Sequence, residues 1–398
     1  MNKIPDQRDA GTLDRHHRQR LLPMIGDAGQ ELLRAAHAAI VGCGALGSAV
    51  AETLCRAGVG CLTIIDRDVV ELTNLQRQTL YTEQDARQGL PKAIAAKQAL
   101  GRIDSGVVVH AIVDDVNPDT INRLLPPLPT GEARGEGSGL NATHTQTRRP
   151  PISLLIDAAD NFETRFLLND FAVQRGLPLV YAGVVGVTGL TTTILPRPHS
   201  SESGATPKRP LPWRPTPCLR CLFDDAPPAG SAPTCDTAGV LGPAVAIVAG
   251  FQTVEAIKIL LGRFDEINCA LLEINAWTGA LRRIDTANAL RNDCPCCAQR
   301  RFDSLDGKHA SQTISLCGSD SIQIAATAPI DLAIIADRLA PHGRFERNEH
   351  LLRGVFSGER SDTGEPIELT LFPTGRVVIK GLHEPGRAKA IFARYIGM

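Results

Sequence analysis

Ile40-Val41-Gly42-Cys43-Gly44-Ala45-Leu46-Gly47, with Asp66 nineteen residues beyond Gly47, is the stretch on which the fold turns. Its apolar start predicts a buried strand, its glycines a turn, and the residues to about Gly58 a helix. A second strand, Cys61 to Ile65, ends on the carboxylate of Asp66. Gly42, Gly44 and Gly47 fit the pattern G-x-G-x-x-G. The first glycine permits a tight turn, the second lets backbone approach a phosphate, and the third lets helix and strand pack closely. The helix N-terminus offers free N–H groups to an anion. Asp66 is placed to accept hydrogen bonds from a ribose. Alone, the pattern implies a nucleotide, with NAD as the usual occupant.

The surrounding chain has 398 residues, which suggests two domains. Hydrophobic residues make up 43%, enough for a sizeable core, and the net charge of −1 gives no pull towards nucleic acid or anionic membrane. Lys3, Asp6, Arg8 and Asp9 interrupt any signal-peptide core. The longest apolar run, Val240 to Phe251, reads as too short and glycine-rich for a membrane span. A soluble cytoplasmic protein is expected. The 11 cysteines then read as metal ligands or thiols rather than disulfides.

Residues 1–37 read as a polar, weakly helical N-terminal segment. From 38 to about 300, strands and helices alternate as in a mostly parallel, Rossmann-like sheet covered by helices. Val107 to Val113, Ile152 to Ile156 and Leu179 to Val184 are further strands, and Gly189 to Leu195 is an antiparallel partner. Helices are expected over Phe162 to Arg175 and about Pro243 to Leu261, and two short strands over Ala270 to Ile274 and Ala280 to Ile284. Two Pro/Ser-rich segments, 126–151 and 196–217, read as disordered insertions. Residues 301–398 read as a small α+β domain. Its helices are expected at Asp331 to Ala340 and from Pro385, and its strands at Leu351 to Phe356, Glu368 to Phe372 and Arg376 to Ile379.

Three constellations carry chemistry. Cys218/Cys221 and Cys294/Cys297 are two CxxC knuckles, each able to give two thiolates to one tetrahedral Zn²⁺. Cys296 is an alternative ligand, but the two-residue spacer favours Cys297. Four sulfurs leave no open position, so such a site is structural. Next, Arg77 and Lys92 stand where two cations could neutralise phosphate oxygens; solvated helix-cap charges are the plainer reading of each. Last, Asp160-Asn161 ends a strand, where open α/β sheets bind ligands. There an Asp could hold Mg²⁺, or either residue could cap the helix starting at Phe162.

These residues together resemble the ThiF/MoeB/HesA family, bacterial relatives of the ubiquitin-activating enzymes. The resemblance covers about residues 14–297 and rests on several motifs taken jointly. They are Arg15-His16-His17-Arg18-Gln19, the glycine turn, Asp66-Arg67-Asp68, Asn74-Leu75-Gln76-Arg77-Gln78, Pro91-Lys92, Asp160-Asn161, both CxxC pairs and Gly239-Val240-Leu241-Gly242-Pro243. The family usually has Tyr where His16 stands and often Gly where Ala45 stands; neither change removes a charge.

The resemblance implies an enzyme that adenylates the C-terminal glycine of a small β-grasp sulfur-carrier protein ending in Gly-Gly. The cofactors would be ATP, Mg²⁺ and Zn²⁺, and the adenylate would be converted to a thiocarboxylate by a sulfur donor such as a cysteine desulfurase. It assigns Arg77 and Lys92 to the phosphates and Asp160 to Mg²⁺. Gly42, Gly44, Ala45 and Gly47 meet the nucleotide through backbone, Asp66 meets the ribose, and Thr73, Asn74 and Asn161 complete the site. Arg18 would reach a neighbouring subunit's site, which implies a homodimer. Cys235, outside any CxxC spacing and by itself an ordinary loop thiol, matches a position where some members carry a cysteine that bonds the carrier covalently and others do not require one. The tail resembles that of longer ThiF-like proteins rather than a rhodanese domain. This favours thiamine thiazole synthesis over the molybdopterin synthase carrier subunit. Rival classes are an NAD-binding oxidoreductase, which leaves Arg77, Lys92 and Asp160 without roles, and a non-catalytic scaffold.

Overall fold

The computed structural model describes residues 15–126, 150–197, 212–223, 238–307, 315–316, 321–325, 329–361 and 363–396. They fall into two compact units, one within Met1–Pro227 and Val240–His309, the other within Pro228–Gly239 and Ala310–Met398.

The first unit is built on an eight-stranded sheet. Its strands are β1 (His37–Val41), β2 (Cys61–Ile65), β3 (Val108–Ile112), β4 (Leu154–Asp157), β5 (Leu179–Val185), β6 (Thr188–Ile194), β7 (Leu271–Asn275) and β8 (Ala280–Ile284). They lie in the order β3-β2-β1-β4-β5-β6-β7-β8. The first five in that order run parallel, and β6, β7 and β8 are antiparallel. Every residue of β1, β2 and β4 is buried. Such strands read as continuous apolar runs because helices cover both faces. After β3 the chain crosses to the other side of β1 and enters β4. That reversal opens a crevice at the carboxyl ends of β1 and β4, where ligands of open α/β sheets bind.

Helices α1 (Gly26–Ala35), α2 (Ala45–Arg56), α3 (Lys92–Ile103), α4 (Phe162–Arg175) and α5 (Gly242–Leu260) clothe the sheet. Leu46, Val50 and Leu54 of α2, Ala93 to Leu100 of α3 and Val245 to Ile259 of α5 share one core. Phe166 to Val173 of α4 and the cysteine knuckles form the core on the other face. Helix α5 is longer than the apolar run that starts it. With 19 residues it is long and apolar enough to cross a membrane, yet more than half of it is buried inside the unit. Within it Gln252 is buried, its Nε2 donating to Asp157 O at 2.8 Å and Val180 O at 3.0 Å, which ties the helix to β4 and β5.

The insertions expected at 126–151 and 196–217 lie largely outside the described residues. The end of the second is tied to the sheet. Thr216 Oγ1 accepts from Leu195 N at 2.8 Å and donates to Thr193 O, and Trp213 packs on Phe264.

The second unit has a six-stranded antiparallel sheet. Its strands are β9 (Ser315–Leu316), β10 (Ser321–Ala325), β11 (Gly343–Arg347), β12 (Leu352–Arg360), β13 (Pro366–Leu371) and β14 (Arg376–Lys380), in the order β11-β12-β13-β14-β10-β9. Helices α6 (Leu332–Leu339) and α7 (Pro385–Tyr395) pack on one face through Ile335, Leu339, Ala388 and Ile391. The sequence reading found β12, β13 and β14 but not β9, β10 or β11. In Gly-Arg-Phe-Glu-Arg of β11 a single apolar residue stands among charges, so no alternation shows.

Candidate functional site

The glycine turn joins β1 to α2. Gly42 has φ +87°, and a Cβ there would lie 2.4 Å from Ala158 O. Only glycine serves at such a position. A Cβ on Gly47 would lie 2.0 Å from Gly42 O, so α2 could not pack this close to β1. Around Gly44 the nearest atom to a Cβ is Gln78 Nε2 at 3.8 Å, which leaves an open cradle above the start of α2. That opening, with unpaired helix N–H groups beneath it, fits a phosphate.

Asp66 follows β2 and is buried. Its Oδ2 accepts from Cys43 N at 2.6 Å and its Oδ1 from Asp68 N at 2.7 Å. The carboxylate therefore braces the glycine turn, and each oxygen keeps a lone pair for a ribose hydroxyl. Burial pushes the Asp66 pKa up, against the pull of Lys92. Tyr81 holds the next peptide of the turn, its hydroxyl donating to Cys43 O at 2.6 Å.

Lys92 opens α3 and is buried. Its Nζ lies 3.0 Å from Asp68 Oδ2, and its backbone N–H donates to Asp68 O at 2.8 Å. Burial works against its charge, but Asp68 and Asp66 outweigh burial and hold its pKa above the ordinary lysine value. It is a fixed cation at the site rather than a solvated cap. Arg77 is less enclosed: its NH1 donates to Thr73 O at 2.9 Å. Thr73 is exposed, while Asn74 is buried and closes a local capping box, its Oδ1 accepting from Glu71 N at 3.0 Å. The segment is pressed against the start of α5, where a Cβ on Gly242 would lie 2.8 Å from Gln76 O.

Asp160 and Asn161 divide the two readings of their pair between them. Asn161 is the N-cap of α4, its side chain accepting from Thr164 N at 2.8 Å. Asp160 stays exposed at the end of β4, with Asn161 Nδ2 donating to its Oδ1 at 3.0 Å. Its other oxygen is open to a cation, and an exposed carboxylate facing phosphates fits Mg²⁺.

Several neighbours had no role in the sequence reading. Asp68 is one. Arg165 is another: it donates to Ala159 O at 2.8 Å and Tyr181 Oη at 2.9 Å, and its guanidinium lies over the Phe162 and Tyr181 rings. An arginine in the first turn of a helix opposes the helix dipole, and that was its available signal. Asp157 is fully buried with Oδ2 unpartnered. Burial pushes its pKa up to about 6, and Arg165 pulls the other way. Gln78 is also buried, its Oε1 unpartnered, beside the Gly44 cradle.

Arg18 is exposed on the helical turn His17–Arg20. The adjacent Gln19 donates to Ala57 O at 2.8 Å, just past the C-terminal end of α2. The glycine cradle lies at the opposite end of that 12-residue helix, about 18 Å away at 1.5 Å per residue. The chain does not bring Arg18 to its own cradle. Cys235 lies outside the described residues.

The cysteine cluster consists of Cys218, Cys221, Cys294 and Cys297, their sulfurs all within 4.8 Å of one another. The Cys218–Cys294, Cys221–Cys297 and Cys218–Cys221 separations are 3.6, 3.5 and 3.9 Å. A tetrahedron with bonds of about 2.3 Å has edges of about 3.8 Å, so the donor set fits Zn²⁺. Cys296 is not one of the four; its sulfur accepts from Asn169 Nδ2 at 3.4 Å. Their mutual sulfur hydrogen bonds push Cys221 and Cys294 below the ordinary thiol range and Cys218 and Cys297 above it, so the four sulfurs titrate as one group.

A ThiF family model matches residues 16–296. The sulfur carrier protein ThiS adenylyltransferase of Bacillus subtilis (strain 168) is 37% identical over 386 residues, 96% of this chain and 99% of that protein. The sulfur carrier protein adenylyltransferase of Thermus thermophilus is 34% identical over 285 residues, 72% of this chain and 90% of that protein. Among solved structures, E. coli MccB with ATP superposes with a TM-score of 0.52 at 21% identity, covering 71% of this chain and 74% of that one. That likeness concerns the fold.

Proposed function

The chain belongs to the ThiF family, and on that premise we propose that it adenylates the C-terminal glycine of a small sulfur-carrier protein, using ATP, ahead of thiocarboxylate formation in thiamine thiazole synthesis. The observation that carries this reading is the gathering of Lys92, Asp68, Asp66 and Asp160 at the strand ends around an open glycine cradle. The alignment with a ThiS adenylyltransferase along nearly the whole of both chains supports the same carrier class.

In this reading the carrier's terminal carboxylate attacks the α-phosphate, and pyrophosphate leaves. Two anions must meet, so fixed positive charge is the main catalyst. Backbone N–H groups at Gly44, Ala45 and Gly47 hold phosphate, Lys92 and Arg77 contact phosphate oxygens, and Asp66 binds the ribose. Thr73, Asn74 and Asn161 shape the site. Asp160 would hold Mg²⁺, which supplies further positive charge to the phosphates. The four-cysteine cluster would hold a structural Zn²⁺ in a soluble protein.

Arg18 works in the site of a second copy. Its helix-length distance from its own cradle supports this, as do the exposed apolar residues Ile247, Phe251 and Val254, which share one stripe of α5 at i, i+4, i+7. Cys235 would be the carrier attachment point, and a cysteine desulfurase the sulfur donor.

The test is ATP–pyrophosphate exchange by the full chain with a carrier ending in Gly-Gly. Exchange that requires the carrier and its last glycine is expected. Tight NAD binding with no exchange for any carrier would overturn the reading.

A further inference from the structure

Arg67 is a cation of the crevice to which the adenylation reading gives no work. It directly follows Asp66 at the carboxyl end of β2. Its guanidinium reaches the carboxyl end of β3, where NH1 bonds Asp115 Oδ1 at 2.8 Å. The two side chains are 18% and 12% exposed, so the pair is enclosed but not sealed. Asp115 is itself held: its Oδ2 accepts from Asn117 Nδ2, and its carbonyl accepts from Thr120 Oγ1. Burial works against the charge of Arg67, and Asp115, Asp68 and Asp160 outweigh it. The result is a planar cation with few rotamers left to it.

The place of that plane matters. In a strand–glycine turn–helix cradle the phosphates lie at the helix N-terminus and the ribose at the carboxylate ending the second strand. The base continues past the ribose, away from α2 and towards the third strand. Arg67 spans that gap, from the residue after the ribose carboxylate to the loop after β3. A guanidinium is flat, delocalised and weakly hydrated, and it stacks on aromatic faces. A lysine at the same position would offer a point charge and no plane.

We propose that Arg67, held flat by Asp115, is the platform on which the purine base of the bound nucleotide stacks. This rests on the nucleotide reading of the same cradle and adds the residue that recognises the base. The phosphates and the base are thereby served by different cations: Lys92 and Arg77 for the first, Arg67 for the second.

Equilibrium binding to the full chain separates the possibilities, with ATP and inorganic tripolyphosphate as probes. Arg67→Ala should weaken ATP about 3- to 30-fold, the range of a cation–π contact, and leave tripolyphosphate unchanged. Asp115→Asn should weaken ATP in the same sense by freeing the guanidinium. Arg67→Phe should restore ATP binding, because a ring also stacks, whereas Arg67→Lys should not. Equal weakening of ATP and tripolyphosphate by Arg67→Ala would make Arg67 a phosphate contact and overturn the proposal. So would unchanged ATP binding, or rescue by lysine but not phenylalanine. Failure of wild-type carrier-dependent exchange, with these binding results intact, would remove the adenylation reading and leave the base platform standing.

Discussion

Replacing Cys218 with Ser should lower the melting temperature by about 10–15 °C. The cluster joins Cys218 to Cys294 across 76 residues of chain. A cross-link closing a loop of that length removes chain entropy worth about 4.5 kcal/mol from the unfolded state. For a unit of this size each kcal/mol corresponds to about 2–4 °C. The loss also propagates through α4. Asn169 Oδ1 accepts from Leu219 N at 2.7 Å, and Asp170 pairs with Arg220 at 3.3 Å while accepting from Ser304 N at 3.0 Å. Helix α4 thus depends on both knuckle segments, and it begins at Asn161, next to Asp160. The assay is differential scanning fluorimetry with elemental analysis, on wild type, Cys218→Ser and a Cys269→Ser control outside the cluster. About one zinc per wild-type chain is expected, lost in Cys218→Ser and kept in the control. A melting temperature within about 2 °C of wild type, less than the smallest effect of a 1 kcal/mol loss, or a wild-type chain without metal, would refute the staple.

Other consequences are narrower. Arg77→Ala and Asp160→Ala should each lower carrier-dependent exchange by about two to three decades, the effect of one preorganised charged group, with the melting temperature unchanged; near-normal exchange in either would remove that residue from the site. Phe251→Glu, which puts a charge into the apolar stripe of α5, should yield monomers by light scattering and lose exchange; a wild type already monomeric at assay concentration would overturn the shared-site reading of Arg18. Asp157 has its pKa pushed up to about 6 by burial, so its protonated form favours folding at low pH, and that contribution is lost as pH rises through 6. Asp157→Asn should therefore stabilise the chain at pH 8, by at most about 3 kcal/mol, and change little at pH 4; equal stability differences at the two pH values would contradict the buried, charge-averse carboxyl.

What could be read in the sequence was what depends on neighbours along the chain. The turn at Gly42 to Gly47 and helix α4 over Phe162 to Arg175 follow local rules, and the structure has both. The choice of Cys297 over Cys296 also followed from spacing, because a two-residue spacer lets both sulfurs of a knuckle face one point. The polar pairs were hidden for the opposite reason. Asp68 and Lys92 meet across 24 residues, and Arg67 and Asp115 across 48. Neither pairing has a period or spacing to betray it, since loop closure alone brings the partners together.

Those hidden pairs change how the resting site should be understood. Lys92 is already neutralised by Asp68, and Arg67 by Asp115. Among the described residues no carboxylate pairs with Arg77, which holds only the Thr73 carbonyl. In the adenylation reading an incoming triphosphate would therefore meet one cation that no carboxylate holds and one that must be shared with Asp68. The Asp68 pair serves binding in two ways. It keeps a buried lysine charged at a point where burial alone would favour the neutral amine. It also fixes the ammonium in place, so little reorganisation remains when charge develops on the phosphates. Removing the carboxylate would give Lys92 more freedom to reach phosphate but less reason to stay charged and aimed.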